Sequence, residues 1–108
     1  MEQGDIILVR YPFSNAADYK IRPAVVVSNN GFNKRFDNWI CPITSKRQEQ
    51  TVELNKSIVE GKLERESFAK TNSIAVIEND LIIKRIGKIT KEKTEEIIEH
   101  ITKNLKTS

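Results

Sequence analysis

The apolar positions of this chain fall into short runs with turn chemistry between them, which predicts several strands rather than a helical bundle. After Gly4 and Asp5, residues 6–10 read as a first strand running into Tyr11, Pro12, Phe13 and a polar loop that reaches Ile21. Residues 24–28 are the second, and their four consecutive apolar side chains predict burial on both faces. Asn29, Asn30 and Gly31 supply a turn, because Asn and Gly tolerate positive φ. Residues 39–44 form a third strand, in which Pro42 marks an edge or a bulge, since proline donates nothing to a ladder. Residues 51–54 alternate weakly as a fourth, and residues 67–77 and 81–86 complete a set of five to seven.

The period changes near the end of the chain. Ile97, Ile98, Ile101 and Leu105 follow helical spacing, with Thr90 as N-cap and Lys103 and Lys106 at the negative end of the dipole. A lone amphipathic helix has to dock on something, and the rest shows no βαβ alternation. The pattern predicts a mainly β (α+β) fold: a small, strongly bent antiparallel sheet or barrel carrying one C-terminal helix.

Composition narrows the chemistry. At 108 residues the chain is one domain, residues 1–108, with no internal repeat or linker. A single cysteine, Cys41, and a single histidine, His100, exclude disulfide scaffolds, zinc ribbons and two-histidine centres. No metal and no cofactor is expected. Apolar runs never exceed four residues, so neither a membrane span nor a signal peptide is expected, and a reducing cytoplasm is the expected location.

Charge is unevenly distributed. Between Arg10 and Arg47 seven basic residues face two acidic ones, whereas residues 48–90 and 91–108 are each balanced. The same third of the chain holds six of the seven aromatics: Tyr11, Phe13, Tyr19, Phe32, Phe36 and Trp39. Cations interleaved with rings suit single-stranded nucleic acid, whose phosphates carry charge and whose bases offer flat faces. The alternative is that the rings are core and the charges solubilise loops.

Two clusters carry candidate chemistry. Arg22 immediately precedes Pro23 and the buried strand, so a guanidinium, permanently charged and fork-shaped for phosphate oxygens, is held at the root of a rigid element. An ordinary surface arginine at a strand start has the same spacing. Thr44, Ser45, Lys46 and Arg47 place two hydroxyls and two cations at the end of another strand. That set can hold a phosphate, and it can also be a hydroxyl-rich turn.

Taken together, the pieces Gly4-Asp5-Ile6-Ile7-Leu8-Val9, Arg22-Pro23-Ala24-Val25-Val26-Val27-Ser28-Asn29 and Pro42-Ile43-Thr44-Ser45-Lys46 resemble the PemK/MazF family of toxin endoribonucleases. Residues 67–74 and 86–89 fit the family's second half more loosely. The resemblance implies an SH3-like β-barrel with a C-terminal helix, a homodimer and a cognate antitoxin. It further implies metal-independent cleavage of single-stranded RNA by attack of a 2′-hydroxyl, leaving 2′,3′-cyclic phosphate and 5′-hydroxyl ends. By motif, Arg22 and Thr44, with Ser45 beside it, are the catalytic residues. Tyr11, Phe13, Tyr19 and Lys20 in the first loop, with Lys46, Arg47 and Lys70, are the RNA-binding candidates.

The sequence departs from the family in two places. Some relatives carry an acidic residue where Thr71 or Asn72 stands, and some carry a histidine in the first loop, which here has none. The general base is therefore unassigned. His100 on the helix and Cys41 in its strand read as structural residues, and Trp39 reads as core in preference to a stacking platform. Two further functional readings remain: a gyrase-inhibiting toxin of the same fold, and a non-catalytic RNA-binding regulator.

Overall fold

The computed structural model describes residues 1–11 and 20–108. Phe13 and Tyr19 lie outside the described residues. Among the described residues there are eight strands: β1 Asp5–Tyr11, β2 Lys20–Val26, β3 Asn38–Thr44, β4 Thr51–Glu53, β5 Ile58–Gly61, β6 Phe68–Lys70, β7 Ala75–Ile77 and β8 Ile82–Ile89. They pair antiparallel in the order β4-β6-β3-β2-β1-β8-β5, with β7 also on β3. The strand count exceeds the five to seven expected, for two reasons. Residues 67–77 break into β6 and β7 around a turn, and the four residues of β5 are too short to carry a readable period.

The end strands β4 and β5 are consecutive in the chain, linked through the 3-10 turn Asn55–Ser57, so the sheet has to curl until its ends approach. No ladder joins them, and the SH3-like barrel is accordingly an open one. Curling is helped at β1, whose ladder with β8 shifts register between Ile6 and Ile7 and again between Leu8 and Val9. Where β5 closes on β8 the backbones nearly touch: a Cβ on Gly87 would lie 2.5 Å from the Glu60 carbonyl oxygen, which only glycine permits. Asp5, buried on β1, accepts from Arg85 on β8 at 2.9 Å, and Arg85 also binds Glu60 on β5. These hydrogen bonds, that to Asp5 first, hold the guanidinium above its ordinary pKa.

Burial on both strand faces gives two cores, as the run at residues 24–27 predicts. Ile6, Val25, Cys41 and Ile43 face one, and Ile7, Val9, Ala24, Val26, Ile40 and Ile77 the other. The first is closed by the helix α2 Lys91–Leu105, which inserts Ile97 and Ile101; burial of an isoleucine is worth roughly 1.5–3 kcal/mol. Thr90 caps α2 by accepting from the Lys93 N–H at 3.1 Å. Leu105 is not part of the buried stripe, being 68% exposed at the end of α2.

Two local expectations change. The turn at residues 29–31 is the start of a six-residue helix, α1 Asn30–Arg35, which Asn29 caps by accepting from the Phe32 N–H at 2.8 Å. The same short amide side chain that favours turns also satisfies a helix N-terminus. Trp39 is not core: it lies 42% exposed between the fully buried Asn38 and Ile40, on the opposite face of β3, with its ring edge-on to Phe32 at 5.8 Å between centroids. Pro42 sits where one edge of β3 changes partner from β7, at residues 38–40, to β6, at residues 43–44, a break where a missing N–H costs no ladder bond.

Candidate functional site

The β2–β3 ladder pairs Val26 with Ile40, Val25 with Cys41 and Ala24 with Pro42. Continuing the same register by two residues sets Arg22 opposite Thr44. Side chains two apart share a face, so Arg22 and Thr44 project from the face that further along carries the second core. Tyr11 and Lys20 join them there, since they pair with each other at the end of the β1–β2 ladder. The open end of that core is thus polar and cationic.

Two grooves meet at this point. The larger, about 550 Å³, is lined by Arg22, Pro23, Ile43, Thr44, Ser45, Lys46, Leu63, Glu64, Arg65 and Ser67. The smaller, about 280 Å³, is lined by Tyr11, Lys20, Arg22, Pro42, Ile43, Thr44, Lys70 and Ser73. Arg22, Ile43 and Thr44 belong to both and form the ridge between them. Arg22 is exposed, yet its backbone leads through Pro23 into the fully buried Ala24, so its root is fixed. None of the ion pairs among the described residues draws on it. The Thr44 hydroxyl oxygen accepts from the Lys46 N–H at 3.2 Å. That bond occupies a lone pair and leaves the hydroxyl proton to be donated.

Charge in the grooves is mainly positive. Arg22, Lys46 and Arg65 face Glu64 in the larger, while Lys20, Arg22 and Lys70 line the smaller. Burial pushes the Tyr11 phenol up to about 12, the nearby Cys41 adds to the shift, and the Arg22 charge pulls against it. Tyr11 therefore stays a neutral hydroxyl in the working range. Burial likewise pushes the Cys41 thiol up to about 12, and its S–H donates to the Lys70 carbonyl at 3.1 Å. Cys41 is an inert core residue, as the sequence reading has it.

Of the residues singled out from sequence, Tyr11, Lys20, Arg22, Thr44, Ser45, Lys46 and Lys70 come together at the grooves. Arg47 stands outside both, its guanidinium over the Phe68 ring at 4.8 Å. Thr71 is buried and donates to the Gln50 carbonyl at 3.0 Å, and Asn72 faces a separate depression against α2. His100 is exposed on α2 beside Glu96 and Glu99, away from Arg22. The sequence reading missed the segment between β5 and β6, which supplies Leu63, Glu64, Arg65 and Ser67 as the far wall. Loop residues without a period leave no signal that they face a groove. Among the described residues no cluster of three or more His, Cys, Asp or Glu side chains is placed to hold a metal ion. No helix among them is long and apolar enough to cross a membrane.

Residues 2–105 match the family described as PemK-like, MazF-like toxin of type II toxin-antitoxin system. No curated protein sequence matches the chain. Among solved structures it resembles the Mycobacterium tuberculosis toxin MazF-mt6, with 16% identity, a TM-score of 0.75 and coverage of 94% of this chain and 95% of that one. It also resembles an endoribonuclease in complex with its cognate antitoxin from a Mycobacterial species, with 16% identity, a TM-score of 0.72 and coverage of 97% and 94%. A third neighbour, from the MazE-MazF structure of Deinococcus radiodurans, has 15% identity, a TM-score of 0.74 and coverage of 100% and 97%. At such identities the likeness establishes the fold.

Proposed function

The chain belongs to the PemK-like, MazF-like toxins of type II toxin-antitoxin systems, and from that premise we propose that it is an endoribonuclease cutting single-stranded RNA at the ridge between the two grooves. The observation that carries the reading is the meeting of Arg22 and Thr44, from separate strands, at one cationic cleft. In this reading the scissile phosphate sits on the ridge and the flanking nucleotides lie one in each groove. The neighbouring 2′-oxygen attacks phosphorus, the 5′-oxygen leaves, and a 2′,3′-cyclic phosphate and a 5′-hydroxyl result. Negative charge grows on the non-bridging oxygens, where the Arg22 fork and the Thr44 proton are aimed. Donors held in place before the reaction stabilise such charge without reorganising. Ser45 stands beside them as a further donor, and Lys20, Lys46 and Lys70 hold the flanking phosphates.

The reading assigns charge neutralisation to a guanidinium and so calls for no metal. It also extends to partners. One structural neighbour is described in complex with its cognate antitoxin and another as MazE-MazF, and for this chain an antitoxin segment of acidic character would cover the cationic grooves. A two-fold homodimer and action on cytoplasmic mRNA complete the proposal.

The test is incubation of the purified protein with single-stranded RNA in EDTA, followed by mapping of the ends. Cyclic-phosphate ends in the parent and their loss in a folded Arg22→Lys variant, which keeps the charge without the fork, are the expected result. Intact RNA would point to the regulator, or, with inhibited supercoiling, to the gyrase poison. Full activity of Arg22→Lys would refute the role of the guanidinium.

A further inference from the structure

We propose that Glu64 is the general base that takes the proton from the attacking 2′-hydroxyl, an assignment resting on the endoribonuclease reading above. Among the described residues Glu64 is the one carboxylate lining either groove, and it lies on the wall of the larger groove whose ridge bears Arg22 and Thr44. Its side chain is exposed and has no hydrogen bond or ion pair among the described residues. The charged groups that face it are cations: Arg22 from β2, Lys46 after β3 and Arg65 on its own segment.

The segment carrying Glu64 is anchored on both sides. Before it, Leu63 packs against the first core. After it, Asn55 clamps the backbone twice: its Nδ2 donates to the Arg65 carbonyl at 2.9 Å, and its Oδ1 accepts from the Ser67 N–H at 2.6 Å. The Ser67 hydroxyl also donates to the Arg65 carbonyl at 2.8 Å, and the Leu54 N–H to the Ser67 carbonyl at 3.0 Å. An exposed carboxylate is thus carried on backbone whose position is set by the core and by a side-chain clamp. A base needs that placement more than it needs burial.

The step balances within the groove. The Glu64 carboxylate takes the 2′-hydroxyl proton as the O2′–P bond forms, and the P–O5′ bond breaks. The leaving 5′-oxygen takes a proton from water, and Glu64 later returns its own proton to water. The nucleoside that supplies the 2′-hydroxyl lies on the Glu64 side, and the leaving nucleoside on the side of Tyr11, Lys20 and Lys70.

The experiment compares the parent with Glu64→Gln in single-turnover cleavage of a single-stranded RNA oligonucleotide across pH, after matched thermal melts confirm that the variant folds. Glu64→Gln is expected to be slower by about 10²-fold or more near neutrality. Its rate should climb about tenfold per pH unit as hydroxide replaces the missing base. A bridging 5′-phosphorothiolate at the mapped cut, whose sulfur leaves without a proton, should fail to rescue it. Parental rates in Glu64→Gln would overturn the assignment. So would a loss equal at every pH, which marks a binding role, and so would rescue by the thiolate, which marks a general acid. A parent that leaves the RNA whole overturns the endoribonuclease reading itself, and the assignment falls with it.

Discussion

Replacing Thr44 by valine separates what the hydroxyl does for the fold from what it does for the reaction. Valine keeps the branched shape at the end of β3 and deletes the oxygen. In the fold, that oxygen accepts one rather long bond of 3.2 Å from the Lys46 N–H in a half-exposed turn. A bond of this kind sits at the low end of net hydrogen-bond contributions, about 0.5 kcal/mol. For a domain of this size that lowers Tm by roughly 2–4 °C. In the proposed reaction the lost donor would face the developing charge, where removal of one such group costs about 10²–10³ in rate, or roughly 3–4 kcal/mol. The kinetic loss thus exceeds the structural one by several-fold, and unfolding at assay temperature does not account for it. Thermal melts and single-turnover RNA cleavage on Thr44→Val and Thr44→Ser, at saturating protein, read the two losses separately. Serine should recover most of both. A Thr44→Val protein cleaving within about threefold of the parent would remove the threonine from the chemistry, whatever its melting temperature.

Neighbouring cations should behave differently despite adjacent positions. On the proposed reading Lys46→Ala removes a cation from the larger groove and should weaken RNA binding, reducing the slope of log affinity against log salt by about 0.7. Arg47→Ala removes a cation resting on Phe68 and should leave that slope alone while costing about 0.5–1 kcal/mol of stability; fluorescence titrations at several salt concentrations distinguish the two, and a reversed pattern contradicts the groove boundaries. Alkaline stability is a further check. The folded chain holds the Cys41 proton to about 12 against an ordinary 9.0, and the Tyr11 proton to about 12 against 10.0. The unfolded chain releases both earlier, so the stability they contribute is complete below about pH 9 and is lost as pH rises to about 12. Urea midpoints should fall through that window, with the onset moved upward in Cys41→Ala; coincident curves for parent and variant would show that the thiol is not desolvated as described.

What the sequence makes legible is what short-range physics determines. Four apolar residues at 24–27 imply two buried faces, and β2 has them. Thr90 before an isoleucine stripe implies a capped helix, and α2 is one. Trp39 fails the same logic because hydrophobicity ranks a residue as inside without knowing which strand face is covered: Asn38 before it and Ile40 after it are fully buried on one face of β3, and Trp39 stands on the other. Its strand partner Val76 is also exposed, at 55%. The meeting of Arg22 and Thr44 belongs to another kind of information. It depends on a register that pairs residues whose numbers sum to a constant along β2 and β3, and a slip of one residue would turn one of the two side chains to the other face. No local pattern encodes that register; in the sequence only the likeness of the motifs to a family points to the pairing.

Glu64 lay beyond both kinds of reading. In the sequence it is one of three glutamates or arginines in a row, a run that ordinarily marks a solvated loop. Its family position is not the one where relatives place an acid, and the residues at that position, Thr71 and Asn72, are turned away from the groove. What distinguishes Glu64 from Glu66 two residues later is the far wall on which it sits and the anchors at Leu63 and Asn55. Asn55 in turn reads as an ordinary turn residue until its two amide bonds are seen to close on Arg65 and Ser67. On the proposed assignment the base stands on a different loop from the relatives' acid while the arginine and threonine keep their places, as expected if the phosphate fixes where charge must be met and the open groove offers more than one wall to a carboxylate.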